Sequence, residues 1–317
     1  MPAYLPAARP TMYFIGVTTT QSSIMKVFPA WAGALGIEAV ISGIDFVPDD
    51  RPERYREAVS FIKSDPLSLG ALVTTHKMNL LKASRDLFDY LDPFAVTLGE
   101  VSSISKRGKD LRGHAKDPIT VGSALEAIVD ADYWRDSGAE MLILGSGGSS
   151  LALTLYLHEK AKGGGDVPAH ISVTAINPRS LVEMRHIHQA IGFAIPVSYL
   201  QTAHVTEADA AVARLPPGSM VINATGLGKD APGSPLSDAV RFPERGIAWE
   251  FNYRGDLVFL AQAKAQAASR QLRAEDGWVY FVHGWTRVIA EVFNIDIPAH
   301  GPTFDRLSQI AAVASGR

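Results

Sequence analysis

A strand, glycine turn and helix near the middle of the chain, alternating strand and helix patterns before it, and enough length for two cores together predict an α/β chain of two domains. One is an N-terminal βαβ domain, and the other is a Rossmann-type, doubly wound parallel sheet. The middle signal spans residues 139–161. The apolar run Met141 to Leu144 meets Gly145, Ser146, Gly147, Gly148, Ser149 and Ser150, and a helical apolar pattern follows through Leu151, Leu153, Leu155 and Leu157. In such a turn, backbone N–H groups at a helix N-terminus meet a pyrophosphate, and side chains would only obstruct it. Ser150 takes the third small position of the GxGxxG spacing, and an ordinary βα turn is the other reading of the same residues.

At 317 residues, 47% apolar and 20% charged, the chain has the composition of soluble globular protein, with length for about two domains. A net charge of −3 supplies no basic footprint, so neither nucleic acid nor an anionic membrane is expected as main partner. The sequence contains no cysteine, which excludes disulfides and thiolate metal ligands and fits a reducing cytoplasm. No basic region precedes an apolar core at the N-terminus, and no run of about 18 apolar residues occurs. A cytoplasmic location is the expectation.

After a loose arm of ten residues, 12–17 predict a strand closed by the polar run 18–23. Ile24, Val27, Phe28, Trp31 and Leu35 recur at spacings of three and four, which predicts a helix ended by Gly36. Pro29 inside it should kink the helix or delay its start. Strands at 39–46 and 70–75 flank a helix at 52–63, giving βαβαβ that runs into His76 and Lys77. Residues 99–117 predict a hairpin turning at Arg107 and Gly108. Asp117 and Pro118 start a helix to Trp134 that links the domains, with Ile119, Leu125, Ile128 and Val129 along one side. Further strands are predicted at 169–180, 197–202, 220–226 and 246–253, and helices at 257–268, 279–293 and 304–314.

Lys77 follows a predicted strand end, and Asp117 stands at the corner after the hairpin, edges that line the ligand crevice of an open α/β sheet. A lysine beside a carboxylate relays a proton to or from a substrate oxygen, although either residue alone also reads as a solvated surface charge. Residues 222–228 end a strand in polar and glycine positions, and Asn223, Thr225 and Gly226 suit the carboxamide end of a nicotinamide. After the second strand of the dinucleotide unit, Asn177, Arg179 and Ser180 stand where an acidic residue would bind a ribose 2′-OH. They suit a 2′-phosphate, so NADP is expected, with NAD as the alternative. Pro178 alters that loop, and the connection at 163–166 is lengthened. The nine histidines form no ligand spacing, so no metal is expected. Ser22 and Ser23 read as a helix N-cap whose place after the first strand also allows a substrate role. Nothing resembles a nucleophile elbow.

The order of these signals resembles the shikimate dehydrogenase family, whose members carry a Ser-rich turn, then GxNVTxPxK, GAxNT, GxNTD, GxGGxx, NRT, NAT and GxxMLxxQ. Here the corresponding segments are TTTQSS, GALVTTHK ending in Lys77, GEVSS at 99–103, GHAKD ending in Asp117, GSGGSS at 145–150, NPRS at 177–180, NATGLG at 223–228 and GWVYFVHG at 277–284. The resemblance implies a substrate-binding and catalytic domain from 1–120 and 278–317, and an NADP-binding Rossmann domain over 121–277. It implies Lys77 and Asp117 as the catalytic pair, and Thr20, Ser22, Ser102 and Tyr253 as substrate contacts. Departures fall on the polar anchors. Leu72, Ser102 and Ala115 stand where the family has Asn, Gly284 where it has Gln, and Ile24 at the second Ser of the family's SxS carboxylate clamp.

Replacing several buried polar anchors changes the substrate, so the expected activity is hydride transfer between NADP and a ring-bearing small molecule other than shikimate. A methylenetetrahydrofolate dehydrogenase-like one-carbon oxidation is a second reading, because that fold also pairs lysine and aspartate beside a Rossmann domain. A non-catalytic ligand or nucleotide sensor is the third, against which the retained pair argues. A homodimer is the self-assembly considered.

Overall fold

The structure, a computed structural model, describes residues 4–229 and 231–317. The chain divides into two compact units, 1–120 with 282–317, and 121–281.

In the first unit, β1 (Thr11–Gly16), β2 (Val40–Asp45) and β3 (Ser68–Val73) pair in parallel, while β5 (Ser103–Arg107) and β6 (Asp110–His114) extend the sheet antiparallel beyond β3. The two-residue β4 (Tyr90–Leu91) closes the order β2-β1-β3-β5-β6-β4. β1 is buried along its whole length, as expected for a central strand covered on both faces. The helices are α1 (Ile24–Leu35), α2 (Pro52–Ser64), α3 (Lys77–Ser84), α4 (Pro93–Leu98) and α12 (Pro302–Ser315), together with the end of α11 (Trp278–Phe293).

Helix α1 buries Ile24, Val27, Phe28 and Trp31 and stops at Gly36, whose φ of 68° is cheap only for glycine. It runs through Pro29 because that residue lies on the exposed side, where water can meet the carbonyl left without a partner. Ser23 occupies the N-cap position, but its side chain makes no capping bond. The strand expected to reach residue 75 ends at Val73, since Thr75 takes a φ of 22° and the His76 N–H turns back onto the Thr74 carbonyl.

In the second unit every strand is parallel, in the order β12 (Arg273–Glu275), β11 (Ile247–Glu250), β10 (Met220–Asn223), β7 (Met141–Leu144), β8 (Ile171–Ala175) and β9 (Val197–Gln201). Strand order reverses at β7 and β10, the switch point of a doubly wound sheet. The connecting helices are α7 (Gly148–Lys162), α8 (Pro178–Ala190), α9 (Val205–Val212) and α10 (Val258–Arg270). Leu153, Leu155 and Leu157 are all buried although spaced by two, so α7 is covered on more than one face.

The helix expected over 117–134 is two, α5 (Asp117–Ile128) and α6 (Tyr133–Ser137), separated where Asp132 adopts a φ of 61°. Leu125, Ile128 and Val129 are buried as expected, together with Val121 and Ala124, whereas Ile119 is 39% exposed. The strand expected over 169–180 ends at Ala175, because Pro178 opens α8 at the position where a missing N–H costs nothing. No helix among the described residues is long and apolar enough to cross a membrane.

Candidate active site

Lys77 is the first residue of α3, four positions beyond the end of β3, and Asp117 is the first residue of α5, three beyond β6. Their side chains form an ion pair, Lys77 Nζ to Asp117 Oδ2, with side-chain exposures of 22% and 21%. Two devices hold the chain that delivers Asp117. The Lys116 N–H donates to Ser102 Oγ at 2.8 Å, and the buried Asp92 carboxylate accepts from the Ala115 N–H at 3.2 Å and the Ala95 N–H at 2.6 Å. Beside Lys77, the Val101 N–H reaches the Lys77 carbonyl at 3.4 Å. The segment GALVTTHK is one residue shorter than the family's GxNVTxPxK, and here it makes a tight turn from Thr74 to His76.

Val101 is bound to Lys77 in this way, so its neighbour Glu100 is drawn to the pair. Burial raises the Glu100 carboxyl to about 7; the Lys77 charge opposes the rise and Asp117 adds to it. Sequence reasoning passed over Glu100. The signal was present, since GEVSS carries Glu in the second position of a segment that the family writes GAxNT.

In the second unit a cavity of about 390 Å³ is lined by Gly145, Gly147, Ile176, Ser180, His204 and Thr225 among others. A dinucleotide fits this place on two grounds. Helix α7 begins at Gly148 with no side chain capping its N-terminal N–H groups, and side chains added at Gly147 or Gly148 would stand in open space. Gly145 itself has a φ of 106°, and a Cβ there would come within 3.0 Å of the Ala224 carbonyl oxygen. Ser146 Oγ bonds Ser180 Oγ at 2.6 Å, whereas Ser150 is fully buried and turns its hydroxyl back onto the Gly145 carbonyl at 2.7 Å. Ser149 is half-buried.

Asn177 caps α8 by accepting from the Arg179 N–H at 3.0 Å, which leaves Arg179 exposed in the first turn of that helix. Among the described residues lining the cavity none is acidic. On the other side of the switch point, Asn223 is fully buried and donates to Glu250 Oε2 at 2.6 Å, while its Oδ1 accepts from Thr225 Oγ1 at 2.6 Å. Asn252 donates to Glu250 Oε1 through both its amide, at 2.7 Å, and its backbone N–H, at 2.9 Å. Asn223 therefore shapes the loop that presents Thr225 and Gly226 and does not itself face the cavity. Burial raises the Glu250 carboxyl to about 7 against these donors.

The other predicted substrate contacts are dispersed. Thr20 is exposed on a 3-10 turn after β1 and Ser22 is half-buried at its end. Ser102 is 3% exposed with its hydroxyl engaged by backbone. Tyr253, in the second unit, packs on Phe281 with ring centroids 4.3 Å apart. A larger cavity, about 620 Å³, lies along the β2 edge beside Tyr4 and Leu5, and neither Lys77 nor Asp117 lines it. Among the described residues no group of three His, Asp or Glu could hold a metal ion.

A parallel sheet with a bare glycine turn at its switch point, joined in one chain to a sheet carrying a lysine–aspartate pair, makes this a two-unit α/β protein with a Rossmann-type sheet. No family model matches the chain. The shikimate dehydrogenase (NADP(+)) of Rhodopseudomonas palustris is 26% identical over 284 residues, 88% of this chain and 89% of that protein. That of Streptococcus thermophilus is 27% identical over 180 residues, 56% of this chain and 58% of its own length. Among solved structures, shikimate 5-dehydrogenase from Listeria monocytogenes, in complex with shikimate and NAD, superposes with a TM-score of 0.73 at 16% identity, covering 97% of this chain and 98% of that one. The 5-ketofructose reductase of a Gluconobacter strain shares the fold with a TM-score of 0.69 at 15% identity, over 96% and 98%. The chain is thus similar in sequence, at 26–27% identity, and in fold to shikimate dehydrogenases.

Proposed function

We propose that the chain is an NADP-dependent oxidoreductase of shikimate dehydrogenase type whose substrate is a ring-bearing small molecule other than shikimate. The Lys77–Asp117 pair carries this reading. In the reducing direction the Lys77 ammonium donates a proton to the substrate's carbonyl oxygen, and in the oxidising direction the Lys77 amine accepts the proton of the reacting hydroxyl. Asp117 orients the ammonium and stabilises its charge. When bound, NADP supplies or takes up the hydride at carbon. The open N-terminus of α7 would hold the pyrophosphate, and Arg179 would pair with the 2′-phosphate.

The lost anchors support a changed substrate. Leu72 is 6% exposed and Ala115 and Ile24 are fully buried, so none of them offers a polar atom to a ligand, and the Ser102 hydroxyl is already engaged. At Gly284, where the family carries a long amide, a Cβ would meet only Thr120 Cγ2, at 3.7 Å, among the described residues. A site without these partners does not repay the desolvation of a polyhydroxy acid. The test is a substrate screen with shikimate, quinate, aminoshikimate, cyclitols and methylenetetrahydrofolate, followed by nicotinamide absorbance. Turnover of a cyclic alcohol with shikimate inert is expected, and efficient shikimate oxidation would overturn the reading.

A further inference from the structure

Glu100 is an ionisable side chain beside the Lys77–Asp117 pair for which the proton chemistry has no use. Gly99, at a φ of 64°, ends α4 and turns the chain so that Val101 enters the core fully buried and donates its N–H to the Lys77 carbonyl. Glu100, between them, is half-buried and has no hydrogen-bond or ion-pair partner among the described residues. Its neighbours are one cation, Lys77, already paired, and one anion, Asp117. Ionised together, the three groups carry one more negative than positive charge. A substrate carboxylate placed there would meet two anions against one cation, whereas an ammonium would balance the set and give Glu100 the partner it lacks. The loss of the carboxylate clamp at Ile24, now an apolar core residue, has the same sense.

The geometry points to Glu100 as a specificity-determining residue that selects a substrate bearing an ammonium group near its reacting carbon, a cyclic amino alcohol or its amino ketone, over a carboxylate. This rests on the dehydrogenase reading above, which places the reacting oxygen at Lys77. The ammonium stays intact; the bonds that change are the substrate's C–H and O–H.

The test uses the full chain with NADP and three ring probes, 2-aminocyclohexanol, 1,2-cyclohexanediol and 2-hydroxycyclohexanecarboxylate, titrated by ligand-observed NMR. The amino alcohol should bind about ten-fold or more tightly than the other two, the scale of one well-placed charge pair. Glu100→Gln should remove that preference without changing diol binding, and Glu100→Ala should shift it toward the carboxylate. Equal or tighter binding of the carboxylate by the unaltered protein, an amine preference that survives Glu100→Gln, or binding of none of the probes while NADP binds would overturn the assignment and leave the dehydrogenase reading intact. Failure of NADP itself to bind would instead sink that reading, and this inference with it.

Discussion

Lys77 and Asp117 form an ion pair across forty positions of sequence because β3 and β6 run to the same edge of their sheet. Each lies antiparallel to β5, so the two are parallel to each other and both end where α3 and α5 begin. Placing a cation and an anion at the first residues of two helices leaves their tips accessible while their backbones are fixed by the sheet. The separate N–H bonds to Ser102 Oγ and Asp92 hold the second arm in place.

If Lys77 moves the proton, Lys77→Met should lower kcat by about 10² to 10⁴, the usual contribution of a positioned acid or base. NADP affinity, measured by fluorescence titration, should stay the same, because the glycine turn belongs to the other unit. Full activity of the variant on its substrate would reduce Lys77 to a surface charge at a strand end.

Arg179 should distinguish the two nicotinamide cofactors. Its exposed guanidinium follows the Asn177 cap, and no acidic side chain lines the cavity among the described residues. Arg179→Ala should weaken NADP by about 1.5 to 3 kcal/mol, the worth of a charge-assisted bond, and leave NAD nearly unchanged in calorimetric titrations. Equal losses for both cofactors would count against the assignment.

Glu250 should make stability depend on pH. Burial raises its folded-state value to about 7 from the ordinary 4.5, so the folded chain holds that proton more tightly than the unfolded one. The stabilising contribution is complete below the ordinary value and is lost as pH rises through about 7. Glu250→Gln, which keeps the shape, should flatten urea-unfolding stability between about pH 5 and 8. An unchanged slope would show that the carboxylate is ionised throughout.

Glu291 should act with the opposite sign. It accepts from Lys116 Nζ at 2.8 Å and from Arg107 at 3.0 Å. Burial alone would raise its pKa, but the Lys116 hydrogen bond and the neighbouring positive charges outweigh it and lower the value. Its contribution is therefore present above the ordinary carboxylate range and lost as pH falls through the lowered folded value. Glu291→Gln should cost about 1 to 3 kcal/mol near neutral pH, a buried-pair loss discounted for partial exposure, and less in acid, by denaturant melts.

Much of this molecule is written locally. Apolar spacing marked α1 to its last residue, and the glycine turn after Met141 to Leu144 marked the first βα unit of the parallel sheet, because periodicity and left-handed glycines act over a few residues. The same local signals located Lys77 and Asp117 at strand ends. They failed where a neighbour decides. The helix expected over 117–134 breaks at Asp132, and the segment before Pro178 leaves the sheet at Ala175. Only the tertiary structure commits the Ser102 hydroxyl and the Asn223 amide to internal bonds, and only it sets Glu100 beside the ion pair. A side chain's chemistry is fixed by what folding brings within a few ångströms, from segments whose patterns carry no trace of one another.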